Sequence, residues 1–304
     1  MGKVGRPRKR TAEAVVKDII PDILVLFRQY EIHATWTTVG LLAYPNVQEL
    51  LKENFPAIPY QNKAYSPFPI TKDKYGDLDE ELLLGKREIE DILKQKNQEI
   101  ASHTFSHYYC VEEGHTTETF EEDCKRMETV GKTLDIDWKS IVFPRNQVAK
   151  DCLKVCAHYG YTAYRGNQEN RFWKNSSYEN ESFFKKVGRV IDAYFKISKT
   201  KAYMINKLPV QLGVVNIPAN RFLRPYSGKK WLEKRKVQVI KNEMFKAARK
   251  HQVYHLWWHP HNFSANPKES LEQLEEILAY ALVLNKKFDF KFMNMGEIAA
   301  HVKN

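Results

Sequence analysis

Nowhere does this 304-residue chain hold the ~18 consecutive apolar residues that a membrane-spanning helix requires. Its most apolar N-terminal stretch is broken by Lys17, Asp18, Pro21 and Asp22, so neither a bilayer span nor a secretion signal is expected, and the expected location is cytoplasmic. Cysteine is scarce. Cys110, Cys124, Cys152 and Cys156 show neither the Cys-x-x-Cys spacing of zinc sites nor the density of a disulfide-held secreted scaffold. Reduced, mostly buried thiols follow, with Cys152 and Cys156 on one helical face and near enough to touch. No internal repeat is present, and nothing in the pattern dictates an oligomeric state.

What the chain does have is an uneven positive charge. The net charge is +11, and Lys3, Arg6, Arg8, Lys9 and Arg10 contribute to it without one acid, which leaves 43 basic against 37 acidic residues elsewhere. Residues 1–10 read as a basic flexible tail and 11–304 as a single barrel-sized domain. The remaining excess suits an anionic substrate such as a sugar phosphate, but an ordinary lysine-rich solvated surface produces it as well. Gly5-Arg6-Pro7 in its basic setting resembles a minor-groove hook. With Val4 where an arginine would strengthen it, the tail predicts salt-sensitive phosphate affinity rather than dedicated DNA binding.

Beyond the tail, Thr11 to Tyr30 carries Ala14, Ile19, Ile23, Leu26 and Phe27 at helical spacing. Ile32 to Val39 is rich in β-branched and aromatic residues and stops at Gly40, as a strand does before a turn; a helix to about Asn54 follows. Residues 55–77 mix prolines and aromatics without a period, the mark of a long loop whose length points to a substrate lid. A regular alternation then begins: helix 78–96, strand 98–102, helix 116–134, strand 140–143, helix 148–159, strand 161–164. Residues 167–212 form an irregular excursion with a helix near 184–196. Strand 213–217, helix 229–250, strand 252–258, helix 267–284 and strand 288–292 resume the rhythm. The expectation is an α/β fold, an irregular (β/α) barrel of about seven parallel strands.

Ten histidines would produce by chance only about a third of one pair spaced four apart. Three such pairs occur: His103/His107, His251/His255 and His255/His259. The last two fall in a strand, where four residues span roughly 13 Å and cannot share one ion, although His255, Trp257 and His259 would line one face. His103 and His107 instead follow the strand Gln98-Glu99-Ile100-Ala101, in a loop or turn where four apart means side by side. Both that pair and His259 lie at C-terminal ends of strands, where barrel active sites gather. Arg145 and Asn146 end another strand on the same rim. Arg145 is a candidate to orient an anion or carboxylate, while Asn146 can equally serve as a helix cap.

These residues carry a resemblance. Over residues 11–300 the chain is similar to the polysaccharide deacetylase family, the NodB-homology hydrolases that remove N-acetyl groups from sugars. His103-Thr104-Phe105-Ser106-His107 matches the family's His-Ser/Thr-x-x-His metal motif, and Leu256-Trp257-Trp258-His259-Pro260 resembles its late Leu-His motif. Ala34-Thr35-Trp36-Thr37-Thr38-Val39-Gly40 resembles its early strand, and Phe143-Pro144-Arg145-Asn146 is a variant of its Arg-x-Pro-Tyr motif. The pattern departs at one point. Family members begin with a strand ending in an aspartate motif, commonly Thr-Phe-Asp-Asp-Gly, which supplies a metal ligand and the catalytic base. Nothing before Thr11 matches it, and Asp18 and Asp22 fall inside a helix.

The resemblance implies a NodB-type barrel without its first strand, either truncated or degenerate. It implies a divalent metal, usually zinc, on His103 and His107, with His259 protonating the departing amine and Arg145 assisting. Trp257, Trp258, Asn146 and His261 are the expected substrate contacts, and an N-acetylated sugar or glycan is the expected partner. The activity is that of a hydrolase acting on non-peptide carbon–nitrogen bonds, impaired by loss of the aspartate. The rival readings are an inactive glycan-binding or scaffold homologue and, more weakly, DNA binding through the tail.

Overall fold

Each strand of the central sheet is short and most are followed by a helix, so neighbouring strands pair in parallel through crossovers. The computed structural model describes residues 9–53, 55–70, 80–170, 172–173, 183–198 and 201–303. Six strands form one sheet: β1 (Ala34–Thr38), β2 (Gln98–Ser102), β3 (Ser140–Ile141), β4 (Ala163–Gly166), β5 (Val210–Gln211) and β6 (Val214–Pro218). Their spatial order is β1-β2-β3-β4-β6-β5, and only the edge strand β5 runs antiparallel. β7 (Arg221–Phe222) and β8 (Leu256–Trp257) form a separate parallel pair. The expected α/β architecture with a mostly parallel sheet is present, and the C-terminal ends of its strands face one rim.

Several boundaries differ from the pattern, each for a local reason. The N-terminal helix begins at Lys9, within the stretch read as tail; residues 1–8 lie outside the described residues. β3 stops after Ile141, because the next carbonyl, on Val142, is taken by the His103 side chain. The segment 252–258 pairs only at Leu256 and Trp257, since His255 exchanges bonds with Asn220 instead. The strand expected at 288–292 does not form. The last long helix runs Pro267–Phe288 and is ended by Asp289 in the left-handed region at φ 52°, after which Phe290 and Phe292 pack on the core without a strand partner among the described residues. Of the long loop, 55–70 is packed rather than loose: Ile58, Tyr60 and Phe68 are buried in the main core, while 71–77 lies outside the described residues.

The outer edge of β1 has no paired strand among the described residues. At that edge the Ile20–Gln29 helix inserts Phe27 between Trp36 of β1, at 5.7 Å between ring centroids, and Trp258 just past β8, at 6.1 Å. Both contacts are edge-to-face, the arrangement aromatic quadrupoles prefer. Ile19, Ile23 and Phe27 are buried as the helical spacing predicts. No helix among the described residues is long and apolar enough to cross a membrane.

The excursion 167–212 is fastened by a buried ionic cluster. Its helix Phe183–Phe195 presents Asp192 to Arg221 at 3.0 Å, and Arg221 also holds Glu243 of the Lys230–Arg249 helix through Nε at 2.9 Å. Lys196 and the Tyr254 hydroxyl reach the same Glu243 carboxylate at 3.0 Å each. Burial pushes the Glu243 carboxyl upward, but Arg221 and Lys196 outweigh it and hold the group below its ordinary 4.5. Replacing Arg221 by Met should therefore leave the buried Asp192 without its cation and Glu243 with only Lys196, and destabilise the fold by about 3–5 kcal/mol in urea denaturation. Because the Glu243 value is depressed, this stabilisation is complete above pH 4.5 and is lost as pH falls through the lower folded value, so the gap between wild type and Arg221→Met should narrow in acid.

Candidate active site

After Ser102 closes β2, the chain bends through two left-handed residues, Thr104 at φ 64° and His107 at φ 58°. One carboxylate shapes the bend: buried Asp123, on the Thr117–Leu134 helix, accepts the Phe105 N–H at 2.6 Å, the Ser106 N–H at 3.0 Å and the Ser106 hydroxyl. Within the loop, the Ser102 hydroxyl accepts from the Thr104 N–H at 3.0 Å and the Thr104 hydroxyl from the Tyr108 N–H at 2.7 Å. The result places the rings of His103 and His107 5.0 Å apart.

His103 is fixed as a lone-pair donor through Nε2. His103 gives its Nδ1–H to the Val142 carbonyl at 2.6 Å, and His107 Nδ1 meets the Tyr109 hydroxyl at 3.1 Å, which leaves Nε2 of each ring unengaged by these contacts. Burial, then the charge of neighbouring groups, disfavours the imidazolium form. His103 is held well below the usual histidine value, and His107 is pushed down to about 4 by burial and by Arg145.

Arg145 and Asn146 both sit at positive φ, 54° and 56°, in the turn after β3. The Arg145 guanidinium lies 4.0 Å from the centroid of Tyr109 and 4.7 Å from that of Tyr65, with Glu112 at 3.4 Å. Tyr65 is the point at which the 55–70 loop reaches the rim. Asn146 does not cap the next helix, whose N-cap is Ala149 without a side-chain bond; its side chain instead accepts from Arg165 Nη2 at 2.7 Å.

From β8, Trp257 and His259 share a face at 5.6 Å, and His261 stacks on His259 at 5.0 Å. Burial, followed by His261, Arg165 and His107, pushes His259 down to about 4. Trp258 points the other way, packing on Phe27 and Phe263, so the structure does not bring it to the rim with the other candidates.

The residue that sequence reasoning missed is Arg165. Its guanidinium is 4.1 Å from the Trp257 ring, and burial lowers it to about 9. Its signal was legible as a lone charge in Thr162-Ala163-Tyr164-Arg165-Gly166, a strand flanked on both sides. Around it, Arg165 Nε, Asn167 Oδ1 and Trp257 Nε1 are buried without a hydrogen-bond partner, an unusual concentration of unsatisfied groups.

The imidazole pair fits part of a metal centre and no more. Among the described residues, no third His, Cys, Asp or Glu joins His103 and His107 in a group whose ligand atoms all lie within 4.8 Å, whereas a hydrolytic zinc has three protein ligands.

The family model for polysaccharide deacetylases matches residues 11–164. The chain belongs to the polysaccharide deacetylase family. The matched residues of this deacetylase-family chain include β1, the histidine loop and Arg145, whereas His259 lies beyond them. Among solved structures, a protein described as a polysaccharide deacetylase from Mycobacterium smegmatis aligns with a TM-score of 0.56 at 14% identity, covering 95% of this chain and 78% of that one, a likeness of fold. A GH57 branching enzyme from the archaeon Thermococcus kodakaraensis aligns with a TM-score of 0.49 at 11% identity, covering 97% of this chain and 69% of that one. No curated protein matches the chain in sequence.

Asp123 governs the loop of this deacetylase-family chain, and its removal has a readable consequence. Asp123→Ala leaves two buried backbone N–H groups unpaired and should cost about 2–4 kcal/mol in chemical denaturation, while Ser106→Ala, which removes only a hydroxyl donor, should cost less.

Proposed function

We propose that this chain is a deacetylase-type hydrolase that binds an N-acetylated sugar or glycan at the rim and cleaves its acetamide carbon–nitrogen bond, with an activity impaired by the missing carboxylate. Residues 11–304 act in this reading as one catalytic unit. The observation that carries it is the closeness of His103, His107 and His259, near enough to oppose one another's protonation, beside Arg165 Nε, Trp257 Nε1 and Asn167 Oδ1, which lack partners. Two donors and an acceptor held dry are suited to the hydroxyl and acetamide groups of a sugar.

His103 and His107 would hold the divalent cation, with zinc the metal that imidazole nitrogen suits. When bound, such a cation supplies Lewis acidity at the acetamide oxygen and a more acidic water. The chain's own residues do the rest. His259, neutral in its buried setting, accepts a proton and returns it to the departing amine; His261, stacked on it, limits its rotation. Arg145, pinned by Tyr109 and Glu112, supplies positive charge beside His107. Trp257 offers a ring to the apolar face of the sugar, and Asn146 keeps Arg165 in place. Two imidazoles without a carboxylate bind the cation weakly and leave no base on the aspartate side.

The test is acetate release from N-acetylated oligosaccharides as zinc or cobalt is titrated. Slow release that needs excess metal is expected, falling about 10²-fold or more in His259→Ala and lost in His103→Ala. Release that needs no metal and survives both substitutions would sink the proposal. Glycan binding without release, at any metal concentration, would favour the binding-protein reading, for which the incomplete ligand set is the specific observation.

A further inference from the structure

Away from the rim histidines, the loop that carries them ends at a second cluster of ligating side chains. His115, Asp151 and Cys152 bring one ligand atom each to within 4.8 Å of one another. His115 Nε2 lies 2.9 Å from Asp151 Oδ2 and 3.8 Å from Cys152 Sγ. These separations compare with edges of roughly 3.3 and 3.5 Å for a tetrahedron built on ordinary zinc–nitrogen, zinc–oxygen and zinc–sulfur bond lengths.

The hydrogen bonding around the cluster prepares it for a cation. The Tyr108 hydroxyl, which also meets Thr116 O and Thr119 Oγ1, holds His115 Nδ1 at 3.0 Å and so fixes the orientation of the ring. So oriented, the ring presents Nε2 to the Asp151 carboxylate, and the space between them takes positive charge, either a proton on the imidazole or a cation in its place. The orientation of a ligating imidazole through its other ring nitrogen is the usual outer support of a metal centre. Asp151 is steadied in turn by the Thr117 hydroxyl at 3.3 Å, and the Cys152 sulfur by the Cys110 thiol. Asp151 and Cys152 lie in the first turn of the Lys150–His158 helix, where backbone N–H groups favour negative ligands. An ion has a path inward, because Asp151 is exposed while Cys152 is fully buried.

We propose that His115, Asp151 and Cys152 form a metal site, separate from the rim histidines, that takes a zinc-type divalent cation. The mixed nitrogen, oxygen and thiolate donors select zinc or cobalt over magnesium or calcium. Three protein ligands leave a fourth position for water. The ion would clamp the loop after β2 to the helix after β3, and so would brace the loop on which His103 and His107 sit. This site stands independently of any deacetylase activity.

Cobalt distinguishes the two places, since only this cluster offers sulfur. Titrating cobalt into the chelator-treated full chain should raise a near-ultraviolet thiolate-to-cobalt absorption that saturates near one equivalent. The band should persist in His103→Ala, vanish in Cys152→Ser, and need on the order of tenfold more metal in Asp151→Asn. Because Asp151 is exposed and its amide is nearly isosteric, that variant also serves as the folded control: zinc should raise the melting temperature of the wild type more than that of Asp151→Asn. A wild type without the band, or a band unchanged in both Cys152→Ser and His115→Ala, would overturn the proposal, leaving His115 as an imidazolium paired with Asp151.

Discussion

The rim depends on a guanidinium buried without a carboxylate. Arg165 on β4 has no ion-pair partner among the described residues; it is held instead by the Asn146 side chain and by the face of Trp257. A buried, unpaired charge costs several kcal/mol, and a desolvated cation over an indole returns about 2 kcal/mol of that. The remaining cost is tolerated because Arg165 joins three elements at once: β4 of the large sheet, the turn after β3, and β8 of the small sheet. It also sets the electrostatics. Burial first, and then this fixed positive charge, oppose protonation of His103, His255 and His259, so the imidazoles stay neutral with lone pairs to offer.

Around that centre, side-chain carboxylates do the work that regular backbone pairing cannot. The histidine loop leaves β2 through left-handed residues and would have unpaired amides if Asp123 did not accept them. The excursion before β5 has little sheet pairing of its own and is anchored by Asp192, Arg221 and Glu243. At the edge of β1, which has no paired strand among the described residues, the packing of Phe27 on Trp36 and Trp258 covers the sheet. Asp22 on the same helix and Asp18 in the helical turn before it are both exposed, so neither carboxylate serves the rim.

Much of the site was legible because the chemistry is local. His103-Thr104-Phe105-Ser106-His107 and Leu256 to Pro260 mark rim residues by type and by position after a strand. The alternation of 98–102, 140–143 and 161–164 with helices also predicted the parallel order of β2, β3 and β4. What was not legible depends on contacts distant in sequence. Trp258 looked equivalent to Trp257, yet the period of two along the strand sends neighbouring rings to opposite faces. Asn146 looked like a cap until Arg165 claimed its side chain. His115 lies 36 and 37 residues before the adjacent Asp151 and Cys152, so the three formed no spacing motif.

By itself, the sequence determined the α/β alternation, the family and the two imidazoles at the end of β2, because periodicity and motif spacing act over a few residues. Tertiary structure alone decided which candidates share the rim, that Arg165 lies beneath them, and that Asp123 shapes their loop. It also left the imidazole pair without a third ligand among the described residues. The physical reason is that burial, fixed charge and ligand geometry are properties of residues brought together across the fold, and no window of sequence contains them.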